Sequence, residues 1–372
     1  MEEKNNMRNV SLILALALCV SLLAGCAGTP VVYQTNCTCP VEAHTSVEAP
    51  VVEETTAAVE APAAEGALKT GLAVVAGIGD SKSATAEEAG EGKYDVTLVA
   101  VLVDDNGVIQ DCVIDGIATS VQFDASGALV TDTAVAPQTK NELGENYGMV
   151  AWGGAIAEWD AQAAALANFA VGKTVEELKS GAIDETGKAP AGSDLATQAT
   201  IYLGGYVSAI EKAVANAAHL GAQAGDALKL AAVNEISGST SATAEAEGLA
   251  QLYTTVTALT LKGETITSAT IDSLQAPVTF DENGTITSSL DAPKTKNELG
   301  FDYGMVAYKA SAIGKEWFEQ AEYFCDYITG KTLTEVATIA VDEGTKTTDV
   351  DLATGCTIAI GGFQKLIAKA AG

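Results

Sequence analysis

Two seven-residue stretches hold the residue types best suited to chemistry: Asp194-Leu195-Ala196-Thr197-Gln198-Ala199-Thr200 and Asp351-Leu352-Ala353-Thr354-Gly355-Cys356-Thr357. Each sets a carboxylate and two hydroxyls just ahead of an apolar helical segment. A helix start presents unpaired N–H groups and the positive end of a dipole, which together receive a phosphate well. The same Asp and Thr side chains are also ordinary helix caps. A second string, T-K-N-E-L-G-x-x-Y-G-M-V-A, runs from Thr139 to Ala151 and again from Thr295 to Ala307. Lys140, Asn141, Glu142, Tyr147 and Met149, with Lys296, Asn297, Glu298, Tyr303 and Met305, form a candidate secondary surface. Tyr and Met suit the face of an aromatic ring, and Lys an anionic group. The competing reading is structural: a helix start capped by Thr or Asn, a Gly stop, and Tyr and Met in the core. Trp159 and Trp317 read as core anchors.

These strings belong to a larger repetition. Glu-Trp-x-x-Gln-Ala follows from Glu158 and from Glu316, then Gly-Lys-Thr from Gly172 and Gly330, then D-L-A-T-x-x-T-I from Asp194 and Asp351. Equivalent positions stay 156 to 158 residues apart (139 to 295, 158 to 316, 194 to 351). So regular an offset describes a duplicated unit of domain size and not a short solenoid repeat. The expected organisation is a domain over 68–225 and a second over 226–372, each long enough to bury a core.

Each unit opens with strand-like segments. In the first, Leu72 to Gly77 is apolar, Tyr94 to Val103 is rich in β-branched residues, and Asp104-Asp105-Asn106-Gly107 is a hairpin turn before Val108 to Ile117. Val121 to Phe123, Asp124 to Gly127 and Ala128 to Val130 predict a second hairpin. The second unit repeats the pattern with Thr254 to Leu261, Thr265 to Ile271, and Val278 to Phe280 before Asp281-Glu282-Asn283-Gly284. Helical composition then takes over at Ala155 to Ala170 and Ile313 to Ile328, at short turns from Thr174 and Thr332, and at Thr200 to Ala218 and Thr357 to Ala370. Strands followed by helices predict an α+β fold, two tandem domains, each a small antiparallel sheet with helices packed on it.

Ahead of these units lies an address. Lys4 and Arg8 precede the apolar run Val10 to Leu23, which ends in Leu23-Ala24-Gly25-Cys26. That layout is a secretory signal over 1–25. Its ending resembles the bacterial lipobox, which implies lipidation of Cys26, a membrane lipid as partner, and an extracytoplasmic location. Residues 26–67, rich in Pro, Ala, Thr, Val and Glu, predict a disordered, self-repelling tether with a reach of about 130 Å at ~3.3 Å per residue. Cys37 and Cys39 lie within it as an isolated C-x-C, which lacks the partner ligands of a zinc site. Cys112, Cys325 and Cys356 match Ala269, Ala167 and Ala199 in the other copy, so they read as small buried residues.

Twenty Lys and Arg against 49 Asp and Glu give a formal net charge of −29. Such a surface repels phosphate backbones and excludes nucleic acid as a partner class. His44 and His219 are the two histidines. They cannot supply a Ser-His-Asp triad or a His-based metal cluster twice, which disfavours a hydrolase.

The order of sheet, D-x-N-G hairpin, helices and a D-x-x-[ST]-x-x-T motif leading into a terminal helix resembles the FMN-binding domain family. That family includes flavin-carrying subunits of ion-pumping redox complexes and flavinylated lipoproteins of Gram-positive extracellular electron transfer. The resemblance covers most of 69–372. It implies that a dedicated FMN transferase joins the phosphate of FMN to the hydroxyls of Thr200 and Thr357, with Asp194, Thr197, Asp351 and Thr354 as recognition residues. The chain departs from the family run at Gln198, where glycine is usual, and at Cys356, where alanine is usual. The implied function is a membrane-anchored carrier taking electrons from a membrane dehydrogenase. The alternative is a surface lipoprotein that uses the same fold to bind a ligand or partner, without a cofactor.

Overall fold

The computed structural model describes residues 66–372. Cys26, Cys37, Cys39 and His44 lie outside the described residues, as does nearly all of the expected tether. Each half begins with a three-stranded antiparallel sheet in simple meander order. In the first, β1 (Lys69–Gly77), β2 (Gly90–Val103) and β3 (Ile109–Phe123) pair with Val74 opposite Leu98 and Val99 opposite Ile114. In the second, β4 (Ala227–Glu235), β5 (Gly248–Lys262) and β6 (Thr265–Phe280) repeat the arrangement, with Val256 opposite Asp272. The sheet strands expected at Tyr94, Thr254 and Thr265 are therefore present. The β2–β3 turn forms as its sequence demands: Asp104 Oδ1 accepts from the N–H groups of Asn106 and Val108, and Gly107 takes φ +78°.

Two features differ from the sequence expectation. β4 lies in Ala227–Glu235, an alanine-rich run with little intrinsic strand signal, and it is recruited by tertiary packing beside β5. The second hairpin is reduced to single bridges, Phe123 to Leu129 and Phe280 to Ile286, because β3 and β6 run unbroken through Phe123 and Phe280.

The helices of the first half are α1 (Lys140–Leu143), α2 (Met149–Gly153), α3 (Trp159–Ala170), α4 (Val175–Ala182) and α5 (Gly204–Ala215). Those of the second are α6 (Lys296–Leu299), α7 (Trp317–Ile328), α8 (Leu333–Ala337) and α9 (Gly361–Ala371). α1, α4, α6 and α8 open with full capping boxes, Thr139 with Glu142, Thr174 with Glu177, Thr295 with Glu298 and Thr332 with Glu335. Among the described residues no helix is long and apolar enough to cross a membrane.

Alternation along β2 shows how the layers stack. Leu98, Ala100 and Leu102 point to a core formed with the other sheet, whereas Val99, Val101 and Val103 point to the helices. β5 divides its side chains likewise, Val256 and Ala258 inward and Leu259 and Leu261 to α7 and α9. The order is thus helices, sheet, sheet, helices. At the centre, Phe123 and Phe280 stack at 3.8 Å with planes 5° apart. Each half has a core of its own between its sheet and its helices, as expected for 68–225 and 226–372, and a third, central core to which both halves contribute joins them into one compact unit.

Matched contacts tie the halves. Lys212 on α5 donates to Val74 O of its own edge strand at 2.8 Å and pairs with Glu298 of the other half at 2.7 Å. Lys369 on α9 does the same with Ala232 O at 2.6 Å and Glu142 at 2.5 Å. The turns at Gly127 and Gly284 also reach across: Ala242 N–H donates to Gly127 O, and Ala84 N–H to Gly284 O. Both glycines have φ +68°, and a Cβ on either would come within 2.7 Å of Ala242 or Ala84 Cβ.

Candidate functional site

Asp194 and Asp351 begin short 3-10 turns, Leu195–Thr197 and Leu352–Thr354, in which only the leucine is buried. Thr197 Oγ1 donates to Asp194 O and Thr354 Oγ1 to Asp351 O, both at 2.7 Å. These middle threonines therefore close their own turns. Both aspartate side chains are exposed.

The last threonine of each motif does not start a helix, contrary to expectation. α5 starts at Gly204 and α9 at Gly361, four residues beyond Thr200 and Thr357. What holds the threonines instead is a fully buried glutamine from the Glu-Trp-x-x-Gln string. Gln162 Oε1 accepts from Thr200 N at 2.8 Å and Ile201 N at 3.2 Å, and Thr200 Oγ1 lies 3.4 Å away. Gln320 Oε1 accepts from Thr357 N at 2.8 Å and Oγ1 at 3.1 Å. The amide nitrogens donate back to Ala157 O and Lys315 O. A buried amide bonded through both its oxygen and its nitrogen is a rigid pin, and it fixes the threonine backbone while Thr200 stays exposed and Thr357 half-exposed. Gln162 and Gln320 were not among the expected site residues. The duplicated string was the available clue.

The glycine departure has a local partner. Gly355 lies under Tyr323, whose ring a Cβ would meet at 2.3 Å, and Tyr323 Oη is 2.9 Å from Thr354 Oγ1. Counting from Trp317 and Trp159, Tyr323 corresponds to Ala165, so the half with Gln198 lacks the ring that requires glycine. The Cys356 departure is a fully buried small residue. Burial pushes its thiol up to about 11 and that of Cys112 up to about 12.

The T-K-N-E-L-G strings bury their Thr and Lys and expose their Asn and Glu. Lys140 is 5% exposed, with its ammonium 4.9 Å from the Trp159 ring, 5.5 Å from Tyr147 and 3.6 Å from Asp95. Lys296 is equally buried and lies 4.8 Å from each of Tyr253, Tyr303 and Trp317. Asn141 and Asn297 donate to Ile114 O and Ile271 O, and their backbone N–H groups to Asp115 and Asp272. Glu142 and Glu298 serve both their capping boxes and the ion pairs to Lys369 and Lys212. Met149 and Met305 donate their N–H groups to the carboxylates of Glu158 and Glu316 and pack against the helical cores.

Concave space borders the second of these strings. A seam between the halves, lined by Lys212, Asn216, Asp272, Asn297 and Glu298, encloses about 340 Å³. Burial pushes the Asp272 carboxyl up to about 6, against hydrogen bonds from Thr295, Asn297 and Ser273 that favour the charged form. Comparison of the chain with protein-family models, with curated proteins and with solved structures returns no match.

Proposed function

We propose that the chain is a lipid-anchored, extracytoplasmic carrier of covalently bound FMN, built as a tandem copy of one flavin-binding unit and attached through Thr200 and Thr357. The observation that carries this reading is the repeated pinning geometry. In both halves a buried glutamine locks the backbone of the last motif threonine, with Thr200 exposed and Thr357 half-exposed. A threonine needed only as a cap would accept an N–H from the following turn, and neither does so. Each hydroxyl donates only to the same glutamine oxygen, a bond that a phosphoester would replace, and the first-turn glycines Gly205 and Gly362 have open space where a Cβ would stand. Bound FMN supplies one- and two-electron redox chemistry, and the protein supplies position, tether and field.

The second reading is a surface lipoprotein that binds a partner through the same fold. It is favoured by one observation: the cavity at the seam is not lined by either threonine. The two readings separate on Thr200→Val and Thr357→Val, co-produced with an FMN transferase. The carrier reading expects each single variant to lose one covalent FMN and the double variant to lose both. Covalent flavin retained in the double variant sinks it.

A further inference from the structure

α2 and its counterpart turn in the second half are the places where large aromatic rings stand most exposed. Trp152 is 86% exposed and Tyr308 is 75% exposed. Isolated exposed apolar residues are ordinary on protein surfaces. These two are not independent, because they close the same string, Y-G-M-V-A-W and Y-G-M-V-A-Y. Each ring lies against a left-handed glycine. A Cβ at Gly148 (φ +79°) would come 2.7 Å from Trp152, and one at Gly304 (φ +81°) would come 2.9 Å from Tyr308. The glycine therefore leaves room for the ring, most of whose surface is open to solvent.

The loop bearing each ring is fixed at both ends to the first turn of the helix that pins the threonine. Glu158 takes the N–H groups of Met149 and Val150, and Gln162, one turn on, takes Ala157 O on one side of its amide and Thr200 N on the other. In the second half, Glu316 takes Met305 and Val306, and Gln320 takes Lys315 O and Thr357 N. The aromatic ring and the threonine hydroxyl are thus held by the same helical turn in both halves.

We propose that Trp152 and Tyr308 are the stacking platforms for the planar ring system carried on Thr200 and Thr357 respectively. This inference rests on the attachment reading and adds where the ring system lies. An exposed aromatic face beside a tethered heteroaromatic gains by offset stacking, which is favourable and tolerant of ring identity. Trp in one half and Tyr in the other would give the two flavins different surroundings.

The test uses single-site proteins. Thr357→Val, loaded at Thr200, is compared with the same protein carrying Trp152→Leu or Trp152→Tyr, with loading read by intact mass and fold by circular dichroism. A Trp or Tyr ring stacked on a flavin quenches its emission by electron transfer, so Trp152→Leu is expected to raise fluorescence per bound flavin several-fold and Trp152→Tyr to stay near the parent. The mirrored set, Thr200→Val with Tyr308→Leu or Tyr308→Trp, repeats the comparison at the second threonine. Equal emission from the Leu protein and its aromatic counterpart at equal loading overturns the platform assignment and leaves attachment standing. Absence of covalent flavin from all of these proteins overturns attachment and the platforms together.

Discussion

Lys296 is a cation buried against three ring faces, with Tyr253 Oη accepting its proton at 2.9 Å. Desolvated cation–π contacts are worth about 2 kcal/mol or more, and truncation also leaves a cavity. Lys296→Ala should therefore lower stability by about 2–4 kcal/mol in urea denaturation. A change within ±0.5 kcal/mol, roughly the range of an ordinary surface substitution, would remove the lysine from the core account. Asp272 makes a second residue-level claim. Its folded carboxyl holds a proton up to about pH 6, above its ordinary value of 3.8. This group's stabilisation is therefore complete below 3.8 and fades as pH rises through 6. Relative to Asp272→Asn, the native protein should gain about 2 kcal/mol between pH 7 and pH 4, the slope approaching roughly 1.4 kcal/mol for each pH unit between 6 and 3.8. Parallel stability curves for the two proteins over that range would contradict it. Neither residue's environment was readable beforehand. Lysine in a motif suggests a surface, Asp272 belongs to no motif, and only the fold shows that Tyr253, 43 positions away, shares a cage with Lys296.

At the scale of elements, the strands with strong β-branched composition and the D-x-N-G turn were legible because pattern and turn chemistry agree. So were the short helices from Thr174 and Thr332, but the starts of the long helices were not. α3 and α7 open at Trp159 and Trp317, after loops folded back on Glu158 and Glu316, and α5 and α9 open beyond the threonines they were expected to include. In each case long-range hydrogen bonds to one helical turn displaced a boundary that local composition left open. Gln320 tests this. Replacing it with Leu strands the N–H of Thr357 and the carbonyl of Lys315. Gln320→Leu should cost about 2–4 kcal/mol, given about 1–3 kcal/mol for each buried unpaired group. Hydrogen exchange should quicken at Cys356 and Thr357 before it does in β5. Unchanged exchange in that loop would mean that the glutamine does not pin it.

For the whole molecule, the sequence repeat marks two halves but not that they face each other. β2 buried on both faces calls for a cover on each side, and nothing in its alternation names the second cover as another sheet. The consequence is testable on 66–225 alone. That fragment would expose the inner face of its sheet, including Leu98, Phe123 and the Gly127 turn, so it should self-associate or fail to stay soluble. A folded, monomeric fragment in light scattering would show that the halves are separable after all. Two matched Lys–Glu pairs and two matched glycine turns also hold the four layers in register, which places the pinned threonines on opposite outer layers.

The central claim is most directly tested by the intact mass and visible spectrum of the denatured wild-type chain, produced with an FMN transferase and processed at Cys26. The account predicts two covalent FMN units and a yellow chromophore that survives acid. A colourless chain of unmodified mass would contradict it.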